Sequence, residues 1–309
     1  MQTSTFVSVF APAKINLTLH VTGQRADGYH LLDSLVAFAD VGDELVVQTG
    51  KTVSVITEGP EAAAVPVDMD NLVLKVAALF EDMPGASFLL TKNLPVSSGI
   101  GGGSADAAAA FRGLMTFRRG GQVSPALYDP ANTPMAQKLL ALGADIPMCL
   151  LSRAARIRGI GEEMTPLPQL PELHAVLINP RCRVATPSVF SALKHRDKPP
   201  MPATLPRFAG PNDLFLWLAR QRNDLEEAAM GLEPVIGEVK SALAADQNCR
   251  LARMSGSGAT VFGLYDTAAM ARAGADALRK KHKDWWVRAV RLGDQLDRAL
   301  PRQLIRSTT

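Results

Sequence analysis

Apolar Ile15, Leu17, Leu19 and Val21 alternate with polar Asn16, Thr18 and His20, the period of two of a half-buried strand. Lys14 shares parity with Asn16, so a cation and an amide lie side by side, about 6–7 Å apart, on its polar face. Apolar runs predict further strands over residues 6–10, 45–48, 52–57 and 87–92. The spacing of Leu72, Val76, Leu79 and Phe80 predicts a helix over 72–83, with Asp70 as its N-cap. A second helix opens at Ser104, its expected N-cap, and carries Ala107, Ala108, Phe111 and Leu114 to residue 117. A third covers 135–142 and ends at Gly143.

A proline-punctuated stretch, 166–171, follows. Beyond it the pattern predicts strands over 175–178, 250–254, 260–264 and 286–290, and helices near 187–193, 214–220, 234–245 and 268–281. Helices and strands mix without strict strand–helix–strand repetition, and no repeat of solenoid period is visible. The fold class is therefore α+β. Its 309 residues exceed the roughly 250–300 that one core supports, so two domains are expected, 1–165 and 166–309.

Composition narrows the partners. Apolar residues make up 47% and charged residues 20%, which excludes a disordered chain. The net charge is +3 without a dense basic block, so no nucleic-acid partner is expected. No run approaches the roughly 20 apolar residues that span a bilayer. Residues 1–9 lack the cationic-then-apolar order of a secretory signal. Cys149, Cys182 and Cys249 are isolated, with the spacing of neither a disulfide framework nor a zinc site. A cytoplasmic, reducing compartment is expected.

The richest chemistry lies in Leu94-Pro95-Val96-Ser97-Ser98-Gly99-Ile100-Gly101-Gly102-Gly103-Ser104-Ala105. Glycines let backbone N–H groups converge, and the helix that follows adds unsatisfied donors and a positive dipole end. A phosphate chain fits there, with the Ser104 hydroxyl available to phosphate or magnesium. Two familiar phosphate loops do not fit: one needs lysine after the last glycine, and the dinucleotide fingerprint counted from Gly99 needs glycine at 104. A second glycine turn, Met254-Ser255-Gly256-Ser257-Gly258-Ala259-Thr260, reads by itself as an ordinary hairpin.

Asp145, between a helix end and Pro147, is suited either to capping the next helix or to accepting a proton. Lys14 is either a solvated cation or its partner. If the two meet beside the phosphate loop, Asp145 can take the proton of a hydroxyl while Lys14 stabilises the attacking oxygen.

Pro12-Ala13-Lys14-Ile15-Asn16, the glycine loop and the 254–260 turn, in this order, resemble the GHMP kinase superfamily. Gly23-Gln24-Arg25-Ala26-Asp27-Gly28-Tyr29-His30, Leu142-Gly143-Ala144-Asp145-Ile146-Pro147 and Thr186-Pro187-Ser188-Val189-Phe190 resemble its branch acting on a cytidine-diphospho-methylerythritol in isoprenoid precursor synthesis. The resemblance implies a first domain like domain 2 of ribosomal protein S5 and a ferredoxin-like second domain. It further implies a small-molecule substrate, a monomer or weak homodimer, ATP with magnesium, Lys14 and Asp145 as the catalytic pair, and residues 95–105 on the ATP phosphates. Tyr29 and Phe190 become walls around the cytosine, His30 bonds its edge, Asn16 and Thr186 line the substrate site, and Asn71 reaches the adenine. Ser98 departs from the alanine frequent in the family, and no acidic metal ligand can be assigned. Residues 195–210 match nothing and are expected to be a surface loop. The alternatives are a homoserine- or mevalonate-type kinase, which leaves residues 27–30 unexplained, and a silent sensor, which the presence of both Lys14 and Asp145 argues against.

Overall fold

The longest strand, β3 (His30–Thr49), organises the molecule. A computed structural model describes residues 3–131, 133 and 135–307. The first half contains β1 (Thr3–Asn16), β2 (His20–Gln24), β3, β4 (Ser54–Glu58), α1 (Leu72–Ala77), β5 (Ala86–Thr91), α2 (Gly102–Arg118), α3 (Ala136–Leu142), α4 (Ile146–Leu151), β6 (Ala155–Gly159) and β7 (Glu163–Pro166). The second contains β8 (Leu173–Asn179), α5 (Thr186–Ser191), α6 (Pro211–Ala219), α7 (Glu226–Leu232), α8 (Val235–Ala244), β9 (Cys249–Met254), β10 (Val261–Tyr265), α9 (Ala268–Lys281), β11 (Trp286–Gly293), α10 (Leu296–Ala299) and β12 (Arg302–Ser307).

These strands form one sheet with the path β12-β1-β3-β11-β8-β10-β9, from which β2, β5 and β6 branch at β3. The architecture is α+β, as expected. The sheet runs unbroken past residue 165, which lies inside β7, and the last strand, β12, returns to pair with β1.

A register irregularity between Pro12 and Lys14 decides which way the site residues point. Val7, Val9 and Ala11 belong to the core beneath α1 and α2, whereas Ala13 and Ile15 belong to the core shared with β8 and β11. β3 makes the same change, from Leu45 and Val47 to Leu35, Ala37 and Ala39. Pro12 has no N–H for the ladder, and opposite it a Cβ on Gly42 would lie 2.3 Å from the Ala11 carbonyl oxygen. The irregularity turns Lys14 and Asn16, paired with Phe38 and Val36, toward the face that carries α2.

α2 is buried on nearly every side. Ala107, Ala108, Ala109 and Ala110 are fully enclosed among β1, β3, α1 and α4. Small side chains permit that approach: a Cβ on Gly113 would stand 2.6 Å from the Val47 Cγ2. Alanine also supplies the helix propensity that such a featureless segment needs.

Three sequence expectations are corrected. The alternating run 15–21 is two strands, because Leu17 and Thr18 leave β1 and both donate to the Leu35 carbonyl. α1 ends at Ala77, and its N-cap is Asn71 rather than Asp70. α2 begins at Gly102 behind Gly101, whose φ of 66° is left-handed, so Ser104 lies within the first turn. Residues 195–210 form no helix or strand and are mostly exposed, the surface loop expected of them, but the loop is tied down at one point: Met201 is buried, and its N–H donates to Asp33 Oδ2 at 2.9 Å. Arg156 pairs with Asp33 through Nε and Nη2 at 2.8 and 2.7 Å, and also donates to the carbonyls of Met201, Pro202 and Ala203. The segment is a strap fastened by a buried ion pair.

Candidate active site

At the end of β1, Lys14 Nζ lies 3.0 Å from Asp145 Oδ2 and donates to Asn16 Oδ1 at 2.8 Å. The Lys14 side chain is 5% exposed and that of Asp145 is 37% exposed, so a sheltered cation holds a carboxylate that solvent and ligand can reach. Asp145 stands at the N-cap position of α4, but its side chain makes no capping bond. The helix start is instead held by the Ile146 N–H donating to Gly143, and by Pro147, whose missing N–H is not needed there. The carboxylate is free to face Lys14.

Asn16 is oriented from its other end, where Nδ2 donates to Ser34 Oγ at 2.8 Å and Ser34 donates on to the Thr18 carbonyl. The main chain of β1 also touches the glycine loop. Released from the ladder by the irregularity, the Lys14 N–H donates to the Ile100 carbonyl at 2.9 Å. The strand that carries Lys14 and the glycine loop are therefore joined backbone to backbone.

The glycine loop is clamped from two sides. On one, the 254–260 turn packs against it: Ser255 Oγ donates to the Gly99 carbonyl and accepts from the Asn16 N–H, both at 3.0 Å. A Cβ on Gly99 would fall 2.5 Å from the Ser255 carbonyl oxygen, and φ at Gly99 is +72°. The turn is the expected β9–β10 hairpin and also a wall of the site. Below lies a buried charge cluster, with Lys92 Nζ 2.5 Å from Asp43 Oδ2 and 2.6 Å from Asp106 Oδ2. Asp43 Oδ1 accepts from the N–H groups of Asn93 and Leu94, fixing the chain as it enters the loop. Burial alone would lower the Lys92 pKa, but the two carboxylates outweigh it and hold it at about 12. Burial, assisted by neighbouring Asp43, pushes Asp106 up to about 8 against the pull of Lys92. Ser98, the departure in the loop, spends its hydroxyl on the Pro95 carbonyl at 2.6 Å.

Two adjoining cavities meet at Asp145. One, of about 520 Å³, is lined by Lys14, Asn16, residues 97–99, residues 101–104, Thr186 and the 256–257 turn. The first N–H groups of α2, which lack intrahelical partners, open here. The other, of about 720 Å³, is lined by Tyr29, His30, Thr186, Phe190 and Arg196. Ser104, Asp145, Thr186 and Phe190 belong to both. Thr186 and Ser257 share a hydroxyl hydrogen bond of 2.8 Å at the seam.

In the larger cavity the ring stacked on Phe190 is that of His30, with centroids 4.6 Å apart, while Tyr29 stands 58% exposed at the rim. Burial, then the charge of Arg196, lowers the His30 pKa, so the ring is neutral at pH 7. Its Nε2 is shielded from solvent and has no hydrogen-bond partner among the described residues.

Pro95, Val96, Ile100 and Ala105 frame the loop without lining either cavity. Neither does Asn71, whose amide accepts from the Val73 N–H and donates to the Pro66 carbonyl at 2.9 and 2.8 Å. Any contact from it to a purine would compete with those two bonds. Sequence reasoning missed Ser34 and the clamp made by Asp43 and Lys92. The polar pair Asp33-Ser34, interrupting an apolar run, was the available signal.

Known proteins resemble the chain along most of its length. The family models for the GHMP kinase N-terminal domain and the GHMP kinase C-terminal region match residues 71–153 and 208–284. The chain is 59% identical over 296 residues to the 4-diphosphocytidyl-2-C-methyl-D-erythritol kinase of Roseobacter denitrificans, covering 96% of this chain and 97% of that one. It is 48% identical to the enzyme of the same name from Paramagnetospirillum magneticum, covering 93% and 99%. A crystal structure of 4-(cytidine 5'-diphospho)-2C-methyl-D-erythritol kinase superposes with a TM-score of 0.71 at 34% identity, covering 93% of this chain and 99% of that one. The mevalonate kinase of L. major, at 13% identity, a TM-score of 0.63 and coverage of 93% and 96%, shares the fold. The chain belongs to the GHMP kinase family and, within it, to the 4-diphosphocytidyl-2-C-methyl-D-erythritol kinases.

Proposed function

We propose that the chain transfers the γ-phosphoryl group of ATP to the 2-hydroxyl of 4-diphosphocytidyl-2-C-methyl-D-erythritol, a step toward isoprenoid precursors. The observation that carries the reading is the Lys14–Asp145 pair, standing where a glycine-loop cavity and an aromatic-lined cavity adjoin. In this reading the triphosphate lies on the N–H groups of the glycine loop and the start of α2. The cytidine occupies the second cavity, and the polyol bridges to Asp145.

Asp145 accepts the proton of the 2-hydroxyl as its oxygen attacks the γ-phosphorus. Lys14 orients that carboxylate and stabilises charge on the attacking oxygen, and Asn16 fixes the ammonium. Phosphoryl transfer asks chiefly for such positioning and charge stabilisation. Phe190 and Tyr29 stack the cytosine, a base swings His30 from Phe190 toward its edge, and the unpartnered His30 Nε2 meets that edge. Thr186, shared by both cavities, contacts the polyol.

Among the described residues no group of three or more His, Cys, Asp or Glu could hold a metal ion. A magnesium ion would therefore arrive with ATP and be held mainly by its phosphates, with the Ser104 hydroxyl available beside them. It would supply charge neutralisation on the phosphates. Every residue of this scheme comes from one chain, so a monomer or weak dimer suffices. Among the described residues no helix is long and apolar enough to cross a membrane, and a supply of ATP with three free thiols suits the cytoplasm.

A panel of acceptors with ATP tests the reading. The cytidine diphosphate substrate is expected to turn over, and homoserine and mevalonate are not. The opposite pattern would overturn it.

A further inference from the structure

Residues 194, 196 and 198, at the start of the strap, are all cationic, yet among the described residues only the outer two pair with an acid. Lys194 Nζ lies 2.7 Å from Glu227 Oε1, and Lys198 Nζ lies 3.0 Å from Asp224 Oδ1. Among the described residues Arg196, between them, has no acidic partner; its guanidinium donates at 3.2 Å to the neutral amide oxygen of Gln24. It lines the cavity that holds Tyr29, His30 and Phe190, and among the described residues is the sole lysine or arginine lining it. The acids along that cavity are Asp27, already paired with Arg25 at 2.7 Å, and Asp145, paired with Lys14.

Arg196 is also held in place. Two residues on, the Lys198 N–H donates to the Val21 carbonyl at 3.0 Å, and Arg222 Nη2 donates to the Pro199 carbonyl at 2.5 Å. The buried Asp33–Arg156 pair then fastens Met201. The charge of Arg196 reaches into the pocket, since it contributes to the lowered pKa of His30. An unpaired guanidinium on an anchored segment, facing a cavity whose acids are already spent, is complementary to an anion.

We infer that Arg196 binds the diphosphate of the cytidine-diphosphate substrate, and so selects nucleoside diphosphates over uncharged nucleosides at this cavity. This deepens the proposed function and rests on it, because it assumes that the cavity holds the cytidine. The guanidinium offers several N–H donors to two phosphate groups, a geometry that lysine reproduces only as a point charge. It also gives the strap a purpose, since breaking its anchors would release the residue that recognises the diphosphate.

The test is calorimetric binding of CDP and of cytidine to the full chain, in its wild-type form and as Arg196→Ala and Arg196→Lys. Arg196 is exposed, so neither variant removes a core contact. The wild type is expected to prefer CDP. Arg196→Ala is expected to weaken CDP by about tenfold while leaving cytidine within about twofold, and Arg196→Lys to recover part of the loss. An equal loss for both ligands, or no loss for CDP, would overturn the role of Arg196 while leaving the nucleoside pocket standing. A wild-type chain that binds neither ligand would overturn the proposed function together with this inference.

Discussion

Lys14 Nζ and Asp145 Oδ2 stand 3.0 Å apart at the meeting point of two cavities, although 131 positions separate them in the chain. The irregularity at Pro12 turns the lysine to that face, and α4 brings the aspartate to it without using it as a cap. Asp145→Asn keeps the shape and removes the proposed proton acceptor. Its kcat is expected to fall by about 10²–10⁴ while ATP binding is retained. Steady-state rates alongside nucleotide titration check this, and an unchanged kcat would remove Asp145 from the mechanism.

Gly99→Ala tests the clamp that Ser255 makes on the glycine loop. Its left-handed backbone disfavours a side chain by about 1–2 kcal/mol, and the new methyl group would press on the Ser255 carbonyl. The KM for ATP is expected to rise at least severalfold, with a lower melting temperature. Normal values for both would show that the loop and the 254–260 turn do not need their close approach.

Arg156→Met leaves the Asp33 carboxylate buried with Met201 N–H as its remaining partner. Removing one partner of a buried ion pair destabilises by about 3–5 kcal/mol. Urea unfolding should show that loss, and the KM for the nucleotide-bearing substrate should rise as the strap loosens. A strap that stays fastened would leave both values near wild type.

His30 gives a pH dependence of definite sign. Burial first, and Arg196 second, depress its pKa below 6.5. Binding that needs a neutral ring is therefore unaffected above pH 6.5 and weakens as pH falls through the depressed value. Stability moves the same way, because the unfolded chain takes up this proton first. The substrate KM measured from neutral to mildly acidic pH should stay flat and then rise, and His30→Asn should abolish the rise.

The sequence pattern was legible where one periodicity governs a segment. The 268–281 helix and the shared parity of Lys14 and Asn16 follow from spacing alone, and α9 has those bounds. Less was legible where the backbone leaves its period. Both β1 and β3 change faces near Pro12 and Gly42, which no alternation count reports, and β3 continues well beyond its apolar run. The strap was unreadable because Asp33 and Arg156, which fasten it, lie far apart in sequence and pair only after folding. Motifs named the loop and the catalytic candidates. They did not reveal that Ser255 ties the loop to β1, nor that the charge of Arg196 is left unpaired.

The most direct test of one continuous cleft is kcat/KM for the full cytidine-diphosphate substrate against that for 2-C-methyl-D-erythritol 4-phosphate, which carries the reacting hydroxyl without the nucleotide. If binding of the nucleotide positions the polyol at Asp145, the full substrate should be favoured by about three orders of magnitude. Equal kcat/KM for the two would contradict the account, since the second cavity would then contribute nothing to the reaction.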